Sequence, residues 1–166
     1  MSVFRKLFYM GLILALLAAG CNKPIENNYV LATSKNPKEG GSWTELAHSS
    51  LDLDLDGQED VIALYTAAER DNNGELMWDD GQNWLLLIKS GENYYPLLNE
   101  YVQLGSVYFS AFTDLEEQPK VFVLINTGAG IIAKEYAYEA EKQGFREKLV
   151  YQAEGINLLG SSFPAY

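Results

Sequence analysis

Between positions 52 and 60 the chain reads Asp52-Leu53-Asp54-Leu55-Asp56-Gly57-Gln58-Glu59-Asp60. Carboxylates stand at the first, third, fifth and ninth places, and a glycine suited to a sharp turn stands at the sixth. A hard cation such as calcium takes roughly six to eight oxygens at about 2.3–2.6 Å, and a loop curling around it presents alternate side chains and a main-chain carbonyl near the seventh place. Asp52, Asp54, Asp56 and Asp60 would supply carboxylate oxygens, Gln58 its carbonyl, and water the remainder. A half-exposed strand has the same two-residue period, with Leu51, Leu53 and Leu55 turned to a core and the aspartates to water. Aspartate is depleted in strands, however, and carboxylates crowded into one turn repel unless a cation neutralises them. The expectation is therefore a calcium-binding loop. An EF-hand is excluded, because its twelfth place requires a bidentate glutamate and that place here is Ala63.

The pattern resembles the Asp-x-Asp-x-Asp-Gly-x-x-Asp loop of FG-GAP and VCBS-type repeats, over Ser49 to Ala68. That resemblance implies calcium held between strands of a propeller blade, with Asp52, Asp54, Asp56, the Gln58 carbonyl and Asp60 at the ligand positions. A weaker copy lies 60 residues downstream, where Asp114-Leu115-Glu116-Glu117-Gln118-Pro119-Lys120 precedes a second apolar run. It carries Phe112, Glu117 and Lys120 where the first has Asp52, Gly57 and Asp60, so it is expected not to bind.

Other chemistry is sparse. His48 is the only histidine, which rules out a zinc site or catalytic dyad built on imidazoles. Asn126-Thr127-Gly128-Ala129-Gly130-Ile131-Ile132-Ala133 has dinucleotide-loop glycines but no βαβ setting, and reads as a hairpin turn. Trp78 and Trp84 flank a carboxylate-rich stretch that could cradle a sugar, although such tryptophans more often pack on a sheet.

Cys21 is the only cysteine, and what precedes it explains it. Arg5 and Lys6 lead into an apolar run from Leu7 to Ala19, closed by Ala18, Ala19 and Gly20. This is the layout of a secretory signal, too short for the roughly 20 residues that span a bilayer. The Leu16-Leu17-Ala18-Ala19-Gly20-Cys21 junction resembles a bacterial lipoprotein signal, with Ala18 where leucine is commonest. It implies cleavage of residues 1–20 and diacylglyceryl attachment at Cys21, hence a membrane-anchored, palmitate-bearing lipoprotein on an extracytoplasmic face. Losing the leader removes two of 12 basic residues while all 23 acidic ones stay. Nucleic acid is excluded as a partner by that balance. Asn22 to Ser42, rich in Asn, Pro, Gly and Ser, reads as part of a tether over 21–42 that holds an acidic body away from anionic headgroups.

From residue 43 onward, short β-branched and aromatic runs alternate with turn signals. Val61–Thr66, Trp84–Lys89, Tyr94–Leu98, Val107–Phe112, Val121–Asn126, Tyr136–Glu139 and Phe145–Tyr151 read as strands, and 131–143 as a hairpin strand despite its helix-forming residues. The expected fold is all-β and antiparallel: one domain over 43–166, in two blade-like four-stranded units near 43–101 and 101–151. A propeller needs roughly four or more blades, so these units should pack as a small sandwich or partial propeller. The expected function is a non-enzymatic, calcium-stabilised module binding an envelope protein or glycan. A carboxylate-dependent hydrolase of cell-wall or extracellular polysaccharide is the alternative.

Overall fold

A computed structural model of the chain describes residues 28–157 and 159. The signal segment, Cys21, the first part of the tether and the extreme C-terminus lie outside the described residues. Among the described residues nine strands form: β1 (Asn28–Leu31), β2 (Thr44–Leu51), β3 (Asp60–Thr66), β4 (Gly81–Ser90), β5 (Asn93–Gln103), β6 (Ser106–Thr113), β7 (Pro119–Thr127), β8 (Gly130–Glu139) and β9 (Gly144–Glu154). Strands β2-β3-β4-β5 make one antiparallel meander and β6-β7-β8-β9 a second, whose outer edge is extended by β1 beside β9. The fold is all-β, with two open sheets of four and five strands, as the spacing of apolar runs and turns anticipated. The two units differ in one connection: β7 passes to β8 through a tight turn, Thr127–Gly130, whereas residues 67–80 separate β3 from β4.

The two sheets pack face to face. Ile62, Leu64, Trp84, Leu86 and Ile88 from the first meet Val107, Val121, Val123, Ile125 and Tyr136 from the second in one buried cluster. In β7 the period of two is plain, since residues 119, 121, 123 and 125 are buried and those between are half-exposed. β3 and β4 instead carry unbroken buried runs, Ile62–Thr66 and Trp84–Ile88, which marks a sheet covered on both faces.

The second cover is supplied by residues read from composition as tether. Ala63, Tyr65, Leu85 and Leu87 form a small outer cluster, joined by Trp43 and Tyr94. Thr33 and Tyr94 exchange two backbone hydrogen bonds of 2.9 Å, and the Lys38 ammonium lies 4.3 Å from the Tyr65 ring centroid. The turn-forming residues of 33–42 thus carry the chain from β1, in one sheet, across the back of the other to β2. Residues 28–42, read from composition as tether, belong to the folded body.

A buried polar contact helps to fasten sheet to sheet. Pro96 sits in β5, an edge strand, where a missing N–H is tolerated. Beside it a bulge leaves Leu97 outside the β4–β5 register. The Leu97 carbonyl is taken by the buried Tyr136 hydroxyl, reaching from the opposite sheet at 2.8 Å. At the passage between sheets, Gly105 lies so close to β7 that a Cβ would run into the Asn126 carbonyl.

Leu86 is fully buried and Leu115 fully exposed. Leu86→Ala is expected to lower unfolding free energy by about 2–5 kcal/mol in urea denaturation, while Leu115→Ala changes it by less than about 0.5 kcal/mol. Equal effects would mean that the two sheets do not share one core.

Candidate metal centre

Four turns converge at one end of the sandwich. Residues 52–59 connect β2 to β3, 91–92 connect β4 to β5, 114–118 connect β6 to β7, and 140–143 connect β8 to β9. Beneath them lies an aromatic group drawn from both sheets, with Phe145 edge-on to Tyr95 (5.1 Å between centroids) and to Tyr138 (5.3 Å). Burial, the nearby Tyr138, and the charges of Asp54 and Asp60 push the Tyr95 hydroxyl up to about 12. Asp54 and Tyr138 help to line two clefts flanking the first acidic loop. One, of about 530 Å³, opens toward Ser90–Asn93, and the other, of about 500 Å³, opens toward Asp114–Lys120.

The loop brings together Asp52, Asp54 and Asp60, with one carboxylate oxygen from each within 4.8 Å of the others. Two positions require the left-handed backbone region, Leu55 (φ 62°) and Gly57 (φ 87°). The Gly57 amide donates to Asp52 Oδ2 at 3.0 Å and closes the turn, and the Asp56 amide donates to Asp54 Oδ1 at 3.1 Å. Asp60 opens β3, is 2% exposed, and accepts the Leu53 amide at 2.9 Å. Ser90, at the end of β4, donates to Asp54 Oδ2 at 3.1 Å. Asp52 Oδ1 is shielded from solvent and meets no hydrogen-bond donor among the described residues.

Three acceptor-only groups gathered in this way form an unbalanced site. Burial holds the Asp60 carboxyl above the usual carboxylate range, and the charges of Asp54 and Asp56 add to that against hydrogen bonds from Ser90 and Leu53. A divalent cation would satisfy the idle Asp52 oxygen and remove the repulsion together. The residues present therefore fit a hard cation with oxygen ligands, Asp52, Asp54 and Asp60 being the carboxylates placed to hold it. Asp56 and Gln58 are exposed and stand outside this trio. The Asp56 carboxylate instead accepts the Gln58 amide at 2.8 Å. Of the five ligands expected from spacing, the structure brings together the three carboxylates Asp52, Asp54 and Asp60.

The second acidic loop supplies a control within the same molecule. It occupies the equivalent hairpin of the second meander, and Glu117 (φ 59°) takes the left-handed place that Gly57 has in the first. Asp114 accepts the Gln118 and Glu116 amides, and its other oxygen lies 3.0 Å from the Lys120 ammonium. Lys120 holds the place of Asp60 and also reaches Glu135 at 3.6 Å. This loop carries its own cation in a side chain. Hydrogen bonds from Gln118 and Lys120 hold the Asp114 carboxyl below its ordinary value, and Asp114 in turn raises Lys120.

The remaining sequence candidates fall elsewhere. Trp84 is core with no exposed surface, because its position in β4 faces the opposite sheet. Trp78 stacks on it at 5.7 Å and 15°, so the two make a lidded core and not a double sugar platform. His48 pairs with Glu45 at 2.8 Å on the surface. The glycine motif is the β7–β8 turn. Sequence reasoning missed Ser90, Tyr95 and Tyr138 around the loop, which only the convergence of turns distant in the chain brings there.

No family model, curated protein or solved structure matches this chain. The acidic end is therefore interpreted from its own geometry.

A depressed carboxyl stabilises the fold above its unfolded value and loses that contribution as pH falls through the folded one. An NMR titration is expected to place the Asp114 midpoint below the ordinary 3.8, and to return it toward 3.8 in Lys120→Met. A wild-type midpoint at or above 3.8 would remove the internal-cation account. Gly57→Ala meets no steric obstacle, since nothing lies within 4 Å of the added Cβ. Its cost is the left-handed backbone alone, about 1–2 kcal/mol in denaturant unfolding.

Proposed function

We propose that the chain is an extracytoplasmic lipoprotein, anchored through Cys21, whose loop Asp52–Asp60 binds calcium and whose acidic end serves as a binding module. The observation that carries the ion is the Asp52, Asp54 and Asp60 trio, with a shielded Asp52 oxygen that no donor satisfies. The Lys120-neutralised loop in the equivalent hairpin supports it by contrast. Calcium acts there as a structural ion. It fixes the β2–β3 connection against Ser90 and sets the walls of both flanking clefts. Supporting the anchor are the basic, apolar and small-residue succession before Cys21 and the absence of any other cysteine in the sequence. Non-enzymatic binding is preferred because the clustered carboxylates Asp52, Asp54 and Asp60 are accounted for as ion ligands.

An ion bound only to the folded state raises stability by about 2.7 kcal/mol at a hundredfold excess over Kd. Calcium is expected to raise Tm over chelator, Asp52→Asn to abolish most of that rise, and Asp114→Asn to leave it intact. Identical melting in calcium and chelator would sink the calcium reading. For the anchor, intact mass of membrane-extracted protein should show a lipid on Cys21, and Cys21→Ala should give an unlipidated chain. Unchanged mass and membrane retention in that variant would rule out the lipoprotein assignment.

A further inference from the structure

An open sheet ends in two terminal strands, and each offers a row of backbone donors and acceptors to any further strand that reaches it. Here the terminal strands are β1 and β6 in one sheet, β2 and β5 in the other. Three of them carry obstacles to such an addition. β1 has only four residues. β2 contains Glu45 and His48 and is bulged between Glu45 and Ala47. β5 contains Pro96 and Glu100, is irregular at Leu97, and already bridges to Thr33 at Tyr94. β6, Ser106-Val107-Tyr108-Phe109-Ser110-Ala111-Phe112-Thr113, has no charge, proline or glycine, and its register with β7 runs unshifted from Ser106 to Thr113. Among the described residues no strand but β7 pairs with it. Ser110, Phe112 and Thr113 are exposed along its second half.

The chain's own flanking segments are poorly placed to fill that edge. Three strands separate β1 from β6, so the segment before Asn28 departs from the far side of the sheet. At the other end Ile156 donates to the Ala129 carbonyl, and Gly160 and Pro164 interrupt the sequence that follows before a run as long as β6 is complete. A second copy suits the edge in charge. The chain carries a net charge of −11, so copies repel over most of their surface, whereas the eight uncharged residues of β6 oppose no like charges when paired with themselves. Direction follows from the acidic turns. β6 runs into the 114–118 turn at the acidic end, and its start follows the uncharged Gln103-Leu104-Gly105. Parallel pairing would set two acidic ends side by side. Antiparallel pairing about a two-fold axis at Ser110 sets Asp114 of each copy beside Ser106 of the other, about 25 Å from its own counterpart, well beyond the screening length of roughly 8 Å at physiological salt. The same axis keeps Val107 and Phe109, which face the core, beside core-facing residues of the other copy. No second unobstructed edge remains, so the assembly closes at two copies.

We propose that two copies of this chain pair antiparallel through β6, centred on Ser110, and join their five-stranded sheets into one continuous sheet with the acidic ends far apart. Main-chain hydrogen bonds supply the contact, and the exposed Phe112 adds apolar area beside it. The pairing depends on neither the ion nor the lipid anchor. Its consequence for the binding module is bivalence, since each copy keeps its acidic clefts clear of the other and the two ends point in opposite directions.

Two differently tagged full chains are produced together in bacterial cells and extracted in mild detergent, and one tag is captured. Wild-type copies are expected to co-purify. Ser110→Lys on both copies, and Ser110→Glu on both, should each lower the co-purified fraction at least about tenfold, because like charges then meet at the axis. Ser110→Lys on one copy with Ser110→Glu on the other should restore it, and Ser50→Lys on both, at an exposed position of the β2 edge, should leave it unchanged. Melting equal to wild type shows that the variants stay folded. Where it is lowered, Ser110→Cys decides instead: mild oxidation should give disulfide-linked dimers well in excess of those from the parent chain and from Ser50→Cys. Wild-type copies that do not co-purify, like-charged pairs that still do, a mixed-charge pair that stays apart, an equal loss from Ser50→Lys, or no excess cross-linking at position 110 would each overturn the proposal.

Discussion

Each meander has an apolar inner face that only the other can bury, and the remaining structure follows from that pairing. Neither sheet is shielded on its inner side by a helix or by a second layer of its own. The chain has a single cysteine and so cannot cross-link itself. Stability must come from Trp84, Leu86, Val121, Tyr136 and their neighbours interlocking across the gap. Buried polar groups make the fit directional, since the Tyr136 hydroxyl has an acceptor in Leu97 only when the bulge beside Pro96 faces it. Sliding one sheet over the other would strand the Leu97 carbonyl, at a cost of about 1–3 kcal/mol, and leave the Tyr136 hydroxyl only Glu147 Oε2, 2.9 Å away in its own sheet.

Because the sheets lock in one orientation, their hairpin turns emerge in fixed company. Two acidic loops, at equivalent places in the two units, are brought to one end above Tyr95, Tyr138 and Phe145. They solve the same electrostatic problem in different ways. The second loop recruits Lys120, and the first has Asp60 at that place and adds to the negative charge. Lys120 in place of Asp60 gives the second loop a cation of its own, while the first gathers three carboxylates. The two units share a backbone plan down to the left-handed residue at Gly57 and Glu117, with divergent side-chain chemistry.

Strand identity was legible wherever β-branched and aromatic residues formed runs bounded by Gly, Asn or Ser, which covers β3 through β9. It was hidden in β1 and β2. Thr44–Leu51 contains Glu, Ala, His and two serines, and its strand character comes from pairing with β3, not from propensity. Asn28–Leu31 lies in a stretch whose Asn and Pro content signals a linker, yet tertiary packing turned that stretch into an edge strand and a cover for Tyr65 and Leu87. At the site, the spacing of aspartates located the loop but could not separate Asp52, Asp54 and Asp60 from Asp56, since that depends on where each carboxylate points. The tryptophans show the same limit: composition sets an aromatic beside carboxylates, and only the structure shows that Trp84 faces inward while Trp78 stays partly exposed.

The pairing of Asn28 with Glu147 has a kinetic side. The strand that completes the five-stranded sheet comes from the front of the described chain, and its partner comes from near the back. Closing so long a loop costs entropy before any contact repays it, and folds built on such distant pairings assemble slowly. A chain emerging N-terminus first would present β1, and the segment that covers the first meander, long before β9 exists to receive them. The first meander can condense early, but β1 has to wait, which keeps the body incomplete until almost all of the described sequence is available.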